Sequence, residues 1–227
     1  MMRVGRALSA LLLVGVSAPL LAQTPATDLL APLSPPADAK AMSAAGRVAD
    51  WIAATRDNRA LPYLIVDKPA ATAFIYDAKG KPLGKVPVLI GIAPGDDATP
   101  GVGSKKLSQI GPAEKTTPAG RFLARYGLAF GRQQVLWVDY ANSVALHPIP
   151  ADAAKTERRR ERMLSPEPGD NRITFGCINM PKAFYGQKLR PLFRKKGGYV
   201  YVLPDTRPVE EVFPRLRAYE VGRETSR

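Results

Sequence analysis

The chain has 227 residues, and 33 Lys and Arg against 20 Asp and Glu give it a formal net charge of +13. A single Cys and a single His exclude a disulfide framework within the chain and leave only carboxylates to complete any metal site, so no metal is expected. The length allows one domain with a real core, and so basic a chain either seeks polyanions or uses its charge for solubility alone.

The N-terminus sets the expected compartment. Arg3 and Arg6 precede an uncharged run, Ala7 to Ala22, rich in Leu, Val and Ala. The run is short for a membrane span and Pro19 interrupts it, so residues 1–22 are predicted to be a secretory signal peptide cleaved near Ala22. An uncleaved N-terminal anchor is the alternative, and the lack of a following Cys excludes a lipid anchor there. The protein is thus expected in the periplasm or cell envelope, without a stable membrane span once the signal is removed. Nucleic acid, the usual partner of a basic domain, is not expected as a partner in that compartment; acidic cell-wall peptides and anionic lipid surfaces are.

Residues 23–36, with Pro25, Pro32, Pro35 and Pro36, read as a linker. Residues 37–60 are predicted to hold a helix packed on the domain, because Met42, Ala45, Val48 or Ala49, and Ile52 recur at helical spacing over Ala37 to Thr55. Trp51 is expected to dock it. Residues 61–205 form the body, mainly β with peripheral helices, in a sandwich or flattened barrel. Strands are predicted at Tyr63–Asp67, Thr72–Asp77, Val86–Ile92, Gln134–Tyr140, Ser143–His147 and Gly198–Leu203, with a hairpin turn at Ala141-Asn142. Ala93 to Pro118 is a long loop rich in Gly, Pro, Asp, Ser and Lys, of the kind that is functional or mobile; Asp96-Asp97 within it reads as a turn. Lys155 to Met163 is a charged helix, read either as a solvated face or as a cationic lid that attracts substrate carboxylates. Residues 206–227 complete the chain as a C-terminal helix or tail.

The chemistry centres on Cys177, in Ile173-Thr174-Phe175-Gly176-Cys177-Ile178-Asn179-Met180-Pro181. A lone Cys is commonly a small buried hydrophobe, but a thiolate is the strongest ordinary side-chain nucleophile and imidazole the usual base for it. His147, ending the apolar run Val144-Ala145-Leu146, would take the thiol proton and return it to a leaving amine. Pro181 suits the first position of a helix, so Cys177 is expected just ahead of a helix N-terminus that favours the thiolate. Gly176 permits a tight turn, and the amides of Phe175, Gly176 and Cys177 would face a developing oxyanion.

Two families share parts of this pattern. Sortases also run His, then Cys, then Arg, for which Arg190 or Arg194 would serve, but their Thr-Leu-x-Thr-Cys signature is absent. The chain resembles the L,D-transpeptidase (YkuD-type) family of cell-wall enzymes, whose hallmark is an upstream His followed by Ser/Thr-His-Gly-Cys-hydrophobic-Asn/Arg. Here that stretch reads Thr174-Phe175-Gly176-Cys177-Ile178-Asn179. Thr117-Pro118-Ala119-Gly120-Arg121-Phe122 matches a second family motif, and the Asp-x-x-Gly turn within Phe74 to Gly80 a third. The resemblance spans Tyr63 to Leu203. Phe175 stands where the family has its motif histidine, and the charged segment lengthens the interval from His147 to Cys177.

The resemblance implies a cysteine acyltransferase without cofactors, with Cys177 as nucleophile and His147 as general base and acid. Its partners would be peptidoglycan stem peptides, one as acyl donor and one as amine acceptor, joined in a 3→3 or 1→3 cross-link. Thr174, Phe175, Gly176 and Asn179 would form the oxyanion and substrate-binding region. Arg121 and Tyr140 are weaker candidates, read rather as structural. An L,D-carboxypeptidase, an enzyme that attaches or releases wall proteins, and a non-catalytic peptidoglycan-binding domain are the alternatives.

Overall fold

A computed structural model describes residues 42–129, 133–151 and 153–226. The expected signal peptide and linker lie outside the described residues. The expected helix is α1, Ala44–Thr55. Ser43 caps it by accepting the Gly46 N–H at 3.2 Å, satisfying one of the open amides of the first turn. Ala45, Val48, Trp51 and Ile52 are its buried residues, the stripe that the spacing predicts.

Among the described residues ten strands follow: β1 (Tyr63–Asp67), β2 (Thr72–Tyr76), β3 (Pro82–Pro87), β4 (Ile90–Gly91), β5 (Gly120–Leu128), β6 (Gln134–Asp139), β7 (Val144–Pro148), β8 (Arg172–Thr174), β9 (Ile178–Met180) and β10 (Gly198–Val202). Eight of them make one sheet in the order β3-β2-β1-β10-β5-β6-β7-β9, while β4 pairs with β8. The sheet nearly closes, because Leu89, just beyond β3, exchanges two 2.9 Å backbone hydrogen bonds with Asn179 of the far edge strand β9. The architecture is the mainly β class predicted from sequence.

Helices fill the remaining connections. Short helices α2 (Ala153–Thr156) and α3 (Arg159–Met163) lie between β7 and β8. After β9 come α4 (Lys182–Phe184), a π-helical turn at Tyr185–Leu189 and α5 (Arg190–Phe193); α6 (Val209–Val212) and α7 (Pro214–Glu224) follow β10. Among the described residues, no helix is long and apolar enough to cross a membrane.

The central strands are buried on both faces, so their sequences are apolar without alternation. Leu64, Val66, Val200 and Val202 point into a core shared with Leu136, Leu146, Ile178, Leu189 and Phe193. Tyr63, Ile65, Tyr199 and Tyr201 point the other way, onto Trp51 and Ile52 of the first helix and onto Phe213 and Leu216 near the C-terminus. Burying one such side chain is worth about 1.5–3 kcal/mol, so this doubly covered pair anchors the sheet that carries the site.

Several expectations need correction. The predicted strand Val86–Ile92 is two strands: β3 starts earlier, at Pro82, and β4 leaves the main sheet to pair with β8. Strands β5, β8 and β9 were not predicted as strands. The charged helix is broken at Arg158, whose φ of 50 lies in the left-handed region. Cys177 does not enter a helix; β9 follows it directly, and Pro181 caps α4 beyond that strand.

The long loop is fastened rather than loose. Lys68 Nζ, fully buried, donates to Thr117 O at 2.9 Å and Asp96 Oδ1 at 3.1 Å, and lies 3.3 Å from Asp205 Oδ2. Asp96 also accepts from the amides of Asp205, Thr206 and Arg207 and from the Thr206 hydroxyl. Asp96 is therefore a buried hub between the loop and the end of β10, not a simple turn former.

Candidate active site

Parallel strands β7 and β9 build the site. Their register pairs Leu146 with Ile178 and His147 with Asn179. Cys177 precedes β9 by one residue, and alternate strand residues share a face, so Cys177 and Asn179 share a face with His147.

The turn carrying Cys177 is held by its own threonine and by a second one. Thr174, 2% exposed, donates its hydroxyl to Cys177 O at 2.6 Å and accepts the Gly176 N–H at 3.1 Å. Thr117 Oγ1 donates to Gly176 O and accepts the Gly91 N–H, both at 2.8 Å. Gly176 has φ +118, and a Cβ there would sit 2.7 Å from Thr116 O; no other residue satisfies both limits. The Thr-Pro-x-Gly-x-Phe segment thus acts on the site through Thr117, which locks β4 to the cysteine turn.

The thiol of Cys177 is half-buried and donates to Ser143 O at 3.7 Å. Burial pushes its pKa up, against the lowering influence of the Ala145 amide and the Arg159 charge. The thiol is therefore neutral at rest, where a position ahead of a helix would have favoured the thiolate. Burial likewise pushes the His147 pKa down and Arg159 adds to this, against the Pro148 carbonyl. The imidazole is neutral too.

Its tautomer follows from its neighbours. His147 Nδ1 lies 2.8 Å from Pro148 O, which can only accept, so Nδ1 carries the hydrogen. Nε2 lies 3.4 Å from Asn179 Nδ2 and keeps its lone pair. An imidazole with an unprotonated Nε2, oriented by a backbone carbonyl, thus stands on the same sheet face as the thiol. Among the described residues no hydrogen bond joins the two side chains; Cys177 bonds Ser143 and His147 faces Asn179.

The other sequence candidates fall in distinct places. Asn179 is fully buried, and its side chain is taken up by His147 and Arg159. Phe175, two residues before Cys177, is 38% exposed, with Lys115 Nζ 3.9 Å above its ring centre, a cation–π contact. Arg121 lies away from Cys177: it bonds Asp57 and stacks 3.8 Å over Tyr199. Tyr140 is exposed on the β6–β7 turn, edge-on to Trp137 at 5.1 Å. Sequence reasoning missed Pro148, Ser143, Thr117 in its locking role, Lys115 and Arg159. Only Thr117 carried a signal, through its motif.

Fold and site together define a single thiol and a single imidazole on one face of a nearly closed β-sheet. No family model and no curated protein sequence matches the chain. Solved structures similar to it are L,D-transpeptidases. One is the L,D-transpeptidase of Mycobacterium smegmatis, at 15% identity over 62% of this chain and 58% of that one, TM-score 0.33. Another is the catalytic domain of the Enterococcus faecium L,D-transpeptidase, at 17% identity over 63% of this chain and 96% of that one, TM-score 0.33. The helical cell shape determining protein Pgp2 of Campylobacter jejuni is similar at 14% identity over 73% of this chain and 57% of that one, TM-score 0.43. The match covers 58%, 48% and 60% of the first three structures' own lengths.

Proposed function

We propose that this chain is an exported cysteine L,D-transpeptidase of the cell envelope, acting on peptidoglycan stem peptides. The observation that carries the reading is the tautomer-fixed His147, with its unprotonated Nε2 on the same sheet face as the only thiol. The three motifs shared with the family support the substrate class.

In the proposed reaction, Cys177 attacks the carbonyl of an L-centre that is followed by a D-residue. His147 Nε2 takes the thiol proton as the S–C bond forms. The C–N bond then breaks, and His147 returns the proton to the departing amine of the D-residue, leaving a thioester. An amine of a second stem adds to the thioester carbonyl, giving its proton to His147; the thiolate leaves and recovers a proton, and a cross-link remains. Water in place of the amine gives an L,D-carboxypeptidase. Because the pair is neutral at rest, proton transfer accompanies attack instead of preceding it. With the Gly176 amide engaged by Thr174, the amides of Phe175 and Cys177 are the proposed oxyanion donors.

The test is mass spectrometry of purified disaccharide-tetrapeptide incubated with the signal-free protein, with Cys177→Ala as control. Loss of D-Ala with dimer formation supports transpeptidation, and fragmentation of the dimer separates 3→3 from 1→3 joints. Loss without dimers makes the enzyme a carboxypeptidase. No Cys177-dependent change with any stem peptide overturns the reading in favour of a wall-protein substrate or a binding domain.

A further inference from the structure

The segment between His147 and Cys177 is rich in arginine, and one of its arginines behaves unlike its neighbours. Arg158 and Arg160 are exposed, whereas Arg159 is 7% exposed. The left-handed Arg158 separates α2 from α3. The segment is anchored: Met163 is buried, and Asn171 Nδ2 donates to Val88 O at 2.9 Å.

From its buried position Arg159 reaches the site. Its Nη1 donates to Asn179 Oδ1 at 2.7 Å, and its Nε to Glu157 Oε2 at 2.6 Å. A guanidinium has donors only, so the oxygen of the Asn179 amide must face Arg159. The amide's NH2 is thereby turned to His147 Nε2, at 3.4 Å. A protonated Nε2 would there meet a donor, and the amide cannot rotate to accept from it without abandoning Arg159. The influences on the imidazole are burial, the Pro148 carbonyl and the Arg159 charge; Cys177 on β9 is the other titratable group of the site, and Glu157 partly offsets Arg159.

We infer that Arg159 is a positioning residue of the active site, which through Asn179 holds His147 as a neutral base with Nε2 unprotonated. The inserted segment is on this account part of the catalytic machinery and not a solvated face. The inference deepens the proposed function and rests on that reading for its catalytic meaning, but the relay is measurable without turnover.

The single histidine of the chain makes the measurement clean. The imidazole 15N and 13C signals of His147 are titrated by NMR in the Cys177→Ser background, which removes coupling to the thiol. Arg159→Gln should raise the His147 pKa, because it removes the cation and frees the amide to turn its oxygen to Nε2. Glu157→Gln, at a half-exposed side chain that is easily replaced, should lower it, because the Arg159 charge then stands unopposed. A merely structural role for the segment would move both variants in one direction. Asn179→Ala should diminish the effect of Arg159→Gln, since the relay is already cut. Opposite shifts in the two charge variants, with the double-variant coupling, support the inference. Unchanged titration in Arg159→Gln with its thermal transition intact overturns it, and if that variant fails to fold, an unchanged or raised pKa in Glu157→Gln does so. In the thiol-containing protein, Arg159→Gln should also displace the acid limb of the turnover profile to higher pH. Shifts by NMR without any muropeptide turnover would leave the relay standing and sink the substrate reading instead.

Discussion

Thr117→Val tests whether the cysteine turn is held by hydroxyl chemistry. Valine copies the shape of threonine but not its hydroxyl. At this position the hydroxyl is 2.8 Å from both the Gly91 N–H it accepts and the Gly176 carbonyl it serves, and Thr117 is 2% exposed. Valine therefore strands a buried donor and a buried acceptor, at about 1–3 kcal/mol each when no water replaces the partner. A loss of about 2–4 kcal/mol is expected from urea unfolding. Thr117→Ser keeps the hydroxyl and loses one methyl, which costs about 1 kcal/mol. The two variants should also part in chemistry: freed at Gly176 O, the turn of the valine variant should expose Cys177, and iodoacetamide should label it faster in native buffer than in the serine variant. Equal destabilisation by valine and serine would refute the reasoning, because methyl packing would then explain both.

Gly176→Ala should abolish thioester formation and lower the thermal transition, since φ +118 and the 2.7 Å approach of Thr116 O together exclude a Cβ; a variant that acylates normally would show that the turn relaxes freely. Burial tends to raise the Asp96 pKa, but the Thr206 hydroxyl and the amides of Asp205, Arg207 and Thr206 outweigh it and hold the carboxyl well below the usual range. A depressed carboxyl stabilises the fold above its unfolded pKa, about 3.9, and this stability is lost as pH falls through that value toward the folded one. The urea midpoint should drop from about pH 4 downward, and Asp96→Asn should flatten that part of the curve; an unchanged slope would remove Asp96 as its source. For Cys177, burial outweighs the Ala145 amide and Arg159 and raises the pKa. Its alkylation should accordingly still be rising with pH where a free thiol, with pKa about 8.5, has begun to level off, and a plateau below that of the urea-unfolded chain would contradict the neutral resting pair.

What could be read from the sequence was what local pattern determines. The α1 stripe and strands β1, β2, β6, β7 and β10 carry their apolar periodicity within a few residues. Strands β8 and β9 have three residues each and are defined only by distant partners, Ile90-Gly91 and Leu146–Pro148. The segment after Cys177 therefore looked like the approach to a helix, with Pro181 as the signal, and the thiol was expected to be acidified by it. Strand β5 interleaves Arg121 and Arg125 with its apolar residues, and pairing with β10 and β6 decides it. The hub at Asp96 joins positions far apart in the chain, and no local signal separates it from a turn.

The site shows the same division. Cys177 and His147 stood out because the chain has one of each and reactive chemistry needs their types. Asn179 was visible only as a motif position, yet the fold gives it two tasks. Its backbone joins Leu89 and nearly closes the sheet, while its side chain lies between Arg159 and His147. The residue that closes the sheet is thus also the one whose amide lies between imidazole and guanidinium. Arg159 cannot be singled out among Arg158, Arg159, Arg160 and Arg162 from composition, because all four carry the same charge and only the fold buries one of them. A segment that reads as a charged helix therefore delivers a buried cation to a site whose thiol and imidazole are both neutral. The electrostatics of the pair belong to the segment between β7 and β8 as much as to the strands that carry it.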